Sequence, residues 1–85
     1  MEEIEVEEIR RFVSVFTERR IELIKAILDD NPCSIRELAE IVDRDIKNVF
    51  EDLMLLHKLK LIDFVCEGRR KRPVVRYKKI IIKLG

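Results

Sequence analysis

The apolar residues of this 85-residue chain change period once, at Leu61. Upstream they recur every three or four positions, the repeat of a helix with one buried face. From Ile62 they alternate, the repeat of a strand with one buried face. A chain this short supports one hydrophobic core and not two. The sequence must therefore pack several helices, followed by a short β element, around a single core.

The helices can be placed from their boundaries. Residues 4–16, IEVEEIRRFVSVF, set Ile9, Phe12, Val13 and Phe16 on one face, with acids crowding the first turn, where the helix dipole favours them. Thr17 is a suitable N-cap for ERRIELIKAILDD, whose apolar face comprises Ile21, Leu23, Ile24, Ile27 and Leu28. Asn31-Pro32 ends that helix, because the residue before proline is pushed out of the helical region. Ser34 and Glu37 have capping-box spacing and open IRELAEIV, with Ile35, Leu38, Ala39 and Val42 inward. Asp43-Arg44-Asp45 breaks it. Asp45 then caps IKNVFEDLMLLHKLK, with Val49, Leu53 and Leu56 as its core line. In the strand region Ile62, Phe64 and Cys66 alternate with Asp63, Val65 and Glu67. Gly68 opens a turn filled by a basic cluster, and Pro73 starts the return strand, where a missing N–H does least harm. Asn31–Ser34 is a candidate for a further short strand, and Ile80-Ile81-Ile82 for a continuation of the last one.

Charge is sorted along the chain. The formal net charge is +1, yet residues 1–43 carry twelve acids and six bases, and residues 44–85 carry five acids and twelve bases. The stretch CEGRRKRPVVRYKK, residues 66–79, is the extreme, with no acid after Glu67. Such asymmetry points the basic half towards a polyanion. Charged residues reach 41% and glutamine is absent, a composition like that of hyperthermophile proteins.

Other classes find little support. No run of 18 apolar residues exists for a membrane span, and the acidic N-terminus is not a secretory signal, so the expected compartment is the cytoplasm. Two serines, one threonine and one histidine make no catalytic triad, and there is no glycine-rich phosphate loop. No enzyme activity, cofactor, metal or small-molecule effector is expected. Cys33 and Cys66 are expected as two buried thiols, with a disulfide or a metal- or redox-sensing pair as the alternative. His57 is expected to be a packed or surface histidine.

The order of elements, from RRIELIKAILDDNPCSIRELAEIVDRDIKNVFEDLMLLHKLKLIDF to the hairpin GRRKRPVVRY, resembles the winged helix-turn-helix family over about residues 17–79. The hairpin in particular is similar to that of archaeal transcriptional regulators related to the MarR and ArsR types. The resemblance implies a mainly α fold with a small β-hairpin wing, in which residues 1–16 form an N-terminal packing or dimerisation helix and 17–85 a DNA-binding domain. It implies a recognition helix at about 45–59 and a wing at about 68–73. The glycine usual in the turn between the two helices is replaced by Asp43, which adopts the left-handed conformation at modest cost.

Within that frame, Lys47, Asn48 and Glu51 face outward near the start of the recognition helix. Lys47 can donate to guanine and Asn48 can pair with adenine. Arg44 is placed to hold a phosphate, as is Arg36 in the first turn of its helix. Glu51 and Asp52 oppose the phosphates. Arg69, Arg70, Lys71 and Arg72, with Arg76 behind them, form the electrostatic contact of the wing with duplex DNA, and neutralising the first four should weaken binding to all duplexes. A second apolar line, Phe50, Met54 and His57 with Leu55 beside it, either packs on the N-terminal helix or joins Ile9, Phe12 and Phe16 in a homodimer or partner surface. A homodimer is expected, because one such domain reads few base pairs. The rival is a protein-interaction module docking through Phe50, Met54 and Leu55. RNA binding is a weaker third option, with one tyrosine and no tryptophan for base stacking.

Overall fold

The computed structural model describes residues 6–76. Four helices precede one hairpin: α1 (Val6–Val15), α2 (Glu18–Asp30), α3 (Ile35–Ile41), α4 (Ile46–Lys58), β1 (Ile62–Glu67) and β2 (Arg70–Val75). The protein is mainly α, with a two-stranded antiparallel sheet. No described helix is long and apolar enough to cross a membrane.

The helix starts follow the local chemistry of the sequence. The Thr17 hydroxyl accepts from the Arg20 N–H, Ser34 from Glu37, and the Asp45 carboxylate from Lys47, each satisfying a donor the helix cannot satisfy itself. The Ser34 half of the capping box is made at 3.0 Å. The return bond from the Glu37 side chain is not among the described hydrogen bonds.

The helix ends are equally specific. After α3 the Asp43 N–H donates to Glu40 O and the Arg44 N–H to Ala39 O, with Asp43 at φ 53°. This is a Schellman ending with aspartate in the glycine position. The same pair of bonds closes α4, from Lys60 to His57 and from Leu61 to Leu56, with Lys60 at φ 63°.

Leu23, Ala26, Ile27, Leu38, Ala39, Val49, Leu53, Leu56, Leu61 and Ile62 form the core. The face expected for α2 is rotated. Ile21 and Leu28 are exposed, and Ala26 takes a core place instead, because α3, α4 and β2, the elements that pack on α2, leave Ile21 and Leu28 uncovered. On α1, Val13 is likewise exposed while Val15 packs against the core. Phe12 and Phe16 stack edge to face at 5.1 Å. Phe12 and Val15 line a mostly apolar groove with Leu55 and Leu59, so α1 lies beside the second half of α4.

The hairpin differs from expectation in three ways. Asn31–Ser34 forms no strand, so the described sheet has two strands only. The turn is just Gly68-Arg69, with Gly68 at φ 63°, the type II′ pattern that suits a two-residue hairpin. β2 therefore starts at Arg70, and Pro73 sits inside it opposite Phe64. With Glu67 and Arg70 as the hydrogen-bonded pair next to the turn, alternation makes Phe64 and Pro73 a non-hydrogen-bonded pair. The missing N–H would point away from β1, which is why proline is tolerated there. The triplet Ile80–Ile82 lies outside the described residues.

Candidate nucleic-acid interface

The basic residues divide into groups once they are placed. Arg44 follows the Schellman turn, and its side chain runs inward. Its Nη2 donates to Asp52 Oδ2 at 2.7 Å, and the side chain is 10% exposed. Arg20 of α2 meets the other oxygen through Nε at 3.1 Å and also donates from Nη1 to Val15 O at the end of α1. Nε and Nη1 of Arg44 are buried without a partner among the described residues. Arg44 is thus withdrawn from the surface, against expectation, and Asp52 is not an acid turned towards a phosphate backbone. The sequence carried one signal of this: Asp52 borders the Val49–Leu56 core line of α4, and a carboxylate at the edge of a core calls for a cation.

A second group is paired at the surface. Arg72 Nε lies 3.1 Å from Glu67, and Arg76 Nε lies 3.1 Å from Asp63. The basic run is not a loop. Only Arg69 is in the turn. Arg70, Lys71 and Arg72 alternate along β2, which puts Arg70 and Arg72 on one face and Lys71 on the other.

A third group is exposed, and no acid lies within ion-pair distance of it among the described residues. Of these bases, Arg11, Arg19, Lys25, Lys47, Lys58 and Lys60 are spread over the helices and the turn after α4, whereas Arg36, Arg69, Arg70 and Lys71 border one groove of about 570 Å³ between α3 and the hairpin tip, together with Ser34, Glu37 and Glu40. Arg36 also borders an adjoining depression with Asp43, Asp45 and Ile46 at the start of α4. Hairpin tip, α3 start and α4 start are therefore contiguous, with Arg36 at the junction.

On α4 itself Lys47, Asn48 and Glu51 are exposed, but they do not share one direction. Asn48 lies four residues before Asp52 and seven before Leu55, on the flank that α2 and α1 cover further along the helix. The opposite flank carries Ile46, Phe50, Met54 and His57. His57 stacks on Phe64 at 5.2 Å and lies 3.8 Å from Asp63, which fixes this flank as the one beside the hairpin. Phe50 and Met54 are each 43% exposed and Ile46 is 45% exposed. The apolar line is therefore not internal core, and of the residues grouped with it only Leu55 meets α1. Ile9 is half-buried.

Both cysteines are exposed and free, against the expectation of buried thiols. Ile62 and Phe64 of β1 pack on the core, but the hairpin extends past it. Ile62 is buried, Phe64 half-buried and Cys66 exposed. No cluster of metal-ligating side chains occurs among the described residues.

These elements define a small helical protein with a β-hairpin whose unpaired bases gather at one end. A model of the family described as HVO_A0114 matches residues 15–82, from the end of α1 onward. The chain belongs to that family. No curated protein matches it.

Proposed function

We propose that this protein is a winged helix-turn-helix of the MarR/ArsR-like type that binds double-stranded DNA in a sequence-specific way and regulates transcription in the cytoplasm. In this reading α3 and α4 are the helix-turn-helix, α4 enters the major groove and the β1–β2 hairpin is the wing. One observation carries it: Arg36, Arg69, Arg70 and Lys71 border a single groove that continues to the exposed start of α4. Four cations against the two carboxylates of Glu37 and Glu40 leave this concave surface net positive, which fits a phosphate backbone, and the start of a helix beside them is placed to meet base edges. The internal pairing of Asp52 supports the same reading, because it removes a carboxylate that would repel that backbone. A twofold pair would let two such units read adjacent half-sites, and the exposed Val6 and Val13 of α1 offer apolar surface for it.

The test is duplex binding measured over a range of salt, for the natural protein and for a variant with Arg36, Arg69, Arg70 and Lys71 changed to Gln. The natural protein should lose affinity steeply with salt. The variant should bind all duplexes more weakly, and its log–log slope should be shallower by roughly 0.9 for each phosphate contact removed. Equal slopes for the two proteins would reject the interface.

The exposed Phe50 and Met54 favour a second reading, a winged helix that docks on another protein of a transcription or replication assembly. A protein of that kind would shift no random duplex at low salt.

A further inference from the structure

We infer that Ile46 and Phe50 read the 5-methyl groups of thymines, so that the preferred duplex contains thymine at set positions. This rests on the DNA-binding reading and names the chemistry that reading leaves open. The side chains on the hairpin flank of α4 are apolar and exposed: Ile46 at 45%, Phe50 and Met54 at 43%. Ile46 borders a depression with Arg36, Glu40, Asp43 and Asp45, exposed Lys47 follows it directly, and through Arg36 the depression adjoins the groove of Arg69, Arg70 and Lys71. An apolar stripe beside the groove assigned to phosphates is placed to meet apolar groups that the same polyanion carries. The major groove offers one such group, the thymine methyl, which phenylalanine and other apolar side chains contact.

Position and spacing agree with this. Ile46 and Phe50 occupy the first two turns of α4, the part of a recognition helix that reaches base edges. They stand four residues apart on one flank, about 6 Å along the helix axis, close enough for both to reach into one short stretch of major groove. Asn48, on the other flank, does not share that edge, and readout shifts from the asparagine to the apolar pair.

The experiment begins with a duplex selected from a random pool. Each thymine is replaced in turn by uracil, which removes the methyl and keeps the base pair. Affinity should fall about fourfold at one or two positions, the factor that corresponds to burying a single carbon group. Phe50→Ala should bind the thymine duplex more weakly and lose the discrimination at one of those positions. Ile46→Ala should lose it at the other. Both side chains are half exposed, so their removal leaves the core intact, and thermal melting checks this. If the selected duplex binds tightly and no thymine-to-uracil change matters, the methyl readout is wrong and DNA binding stands. If no duplex is bound at any salt, the DNA-binding reading fails with it. If Phe50→Ala instead lowers the mass in solution and leaves uracil discrimination as it was, the stripe belongs to a second copy of the chain and the inference is overturned.

Discussion

Arg44 and Arg36 are eight residues apart and line the same depression, yet their chemistry has diverged. Arg44 is folded under α4 with Arg20 around one carboxylate, where low polarity makes the pairing strong and any vacancy costly. Arg36, like Arg69 and Arg70 across the groove, stands in water with no acidic partner among the described residues. What separates the two groups is depth. A guanidinium inside the structure locks elements together, here α2, the end of α1, the α3–α4 turn and α4. A guanidinium outside it is available to a partner. The proposed function assigns DNA to the second group and stability to the first.

The largest expected effect breaks the buried group. Asp52→Ala leaves two guanidinium groups facing each other without a carboxylate, and unfolding free energy should fall by about 3–5 kcal/mol in urea denaturation. The salt slope of duplex binding by the folded fraction should not change. The quadruple glutamine variant is the mirror image: its denaturation midpoint should stay within about 0.5 kcal/mol of the natural protein while the salt slope flattens. If Asp52→Ala melted like the natural protein, the distinction drawn between inside and outside would be lost.

An intermediate effect is expected at the tip that carries Arg69. Gly68 adopts φ +63°, and an added Cβ would meet no atom within 4 Å. Gly68→Ala therefore costs only backbone strain, about 1–2 kcal/mol, read as a lower melting temperature.

The smallest effect sharpens the comparison by moving one arginine between groups. Glu67→Gln releases Arg72 from a surface pair worth well under about 1 kcal/mol, so stability should hardly change. Duplex affinity at low salt should rise, and the salt slope should steepen by roughly 0.9 if Arg72 then joins a phosphate. An unchanged slope would place Arg72 beyond reach of the duplex.

Much of the fold is legible in the residues themselves. Thr17, Ser34 and Asp45 cap helices by bonds to residues two or three positions away, so neighbouring sequence is sufficient to locate α2, α3 and α4. Asp43 in the left-handed position follows from its short polar side chain, and the core line of α4 from its spacing. Lys60 adopts the same conformation without any such signal, because the bonds of Leu61 and Lys60 back to α4 impose it. The candidate site was legible as composition, since the unpaired bases of the hairpin stand out against the acidic first half. It was not legible as a surface. Arg36 and Arg69 are more than thirty positions apart, and nothing local says that they border one groove or that Phe50 and Met54 lie beside the hairpin.

By itself, the sequence determined where helices begin and stop, that a hairpin follows them, and which half of the chain is cationic, because these depend on backbone bonds over a few residues and on counting charges. Only the tertiary structure decided that Arg44 goes in and Arg36 stays out, that Ile21, Leu28 and Val13 face solvent, that Cys66 lies past the edge of the core, and that Pro73 can sit inside a strand. Burial belongs to pairs of surfaces: a side chain is inside only if another element arrives to cover it, and which element arrives is settled by the packing of the whole chain.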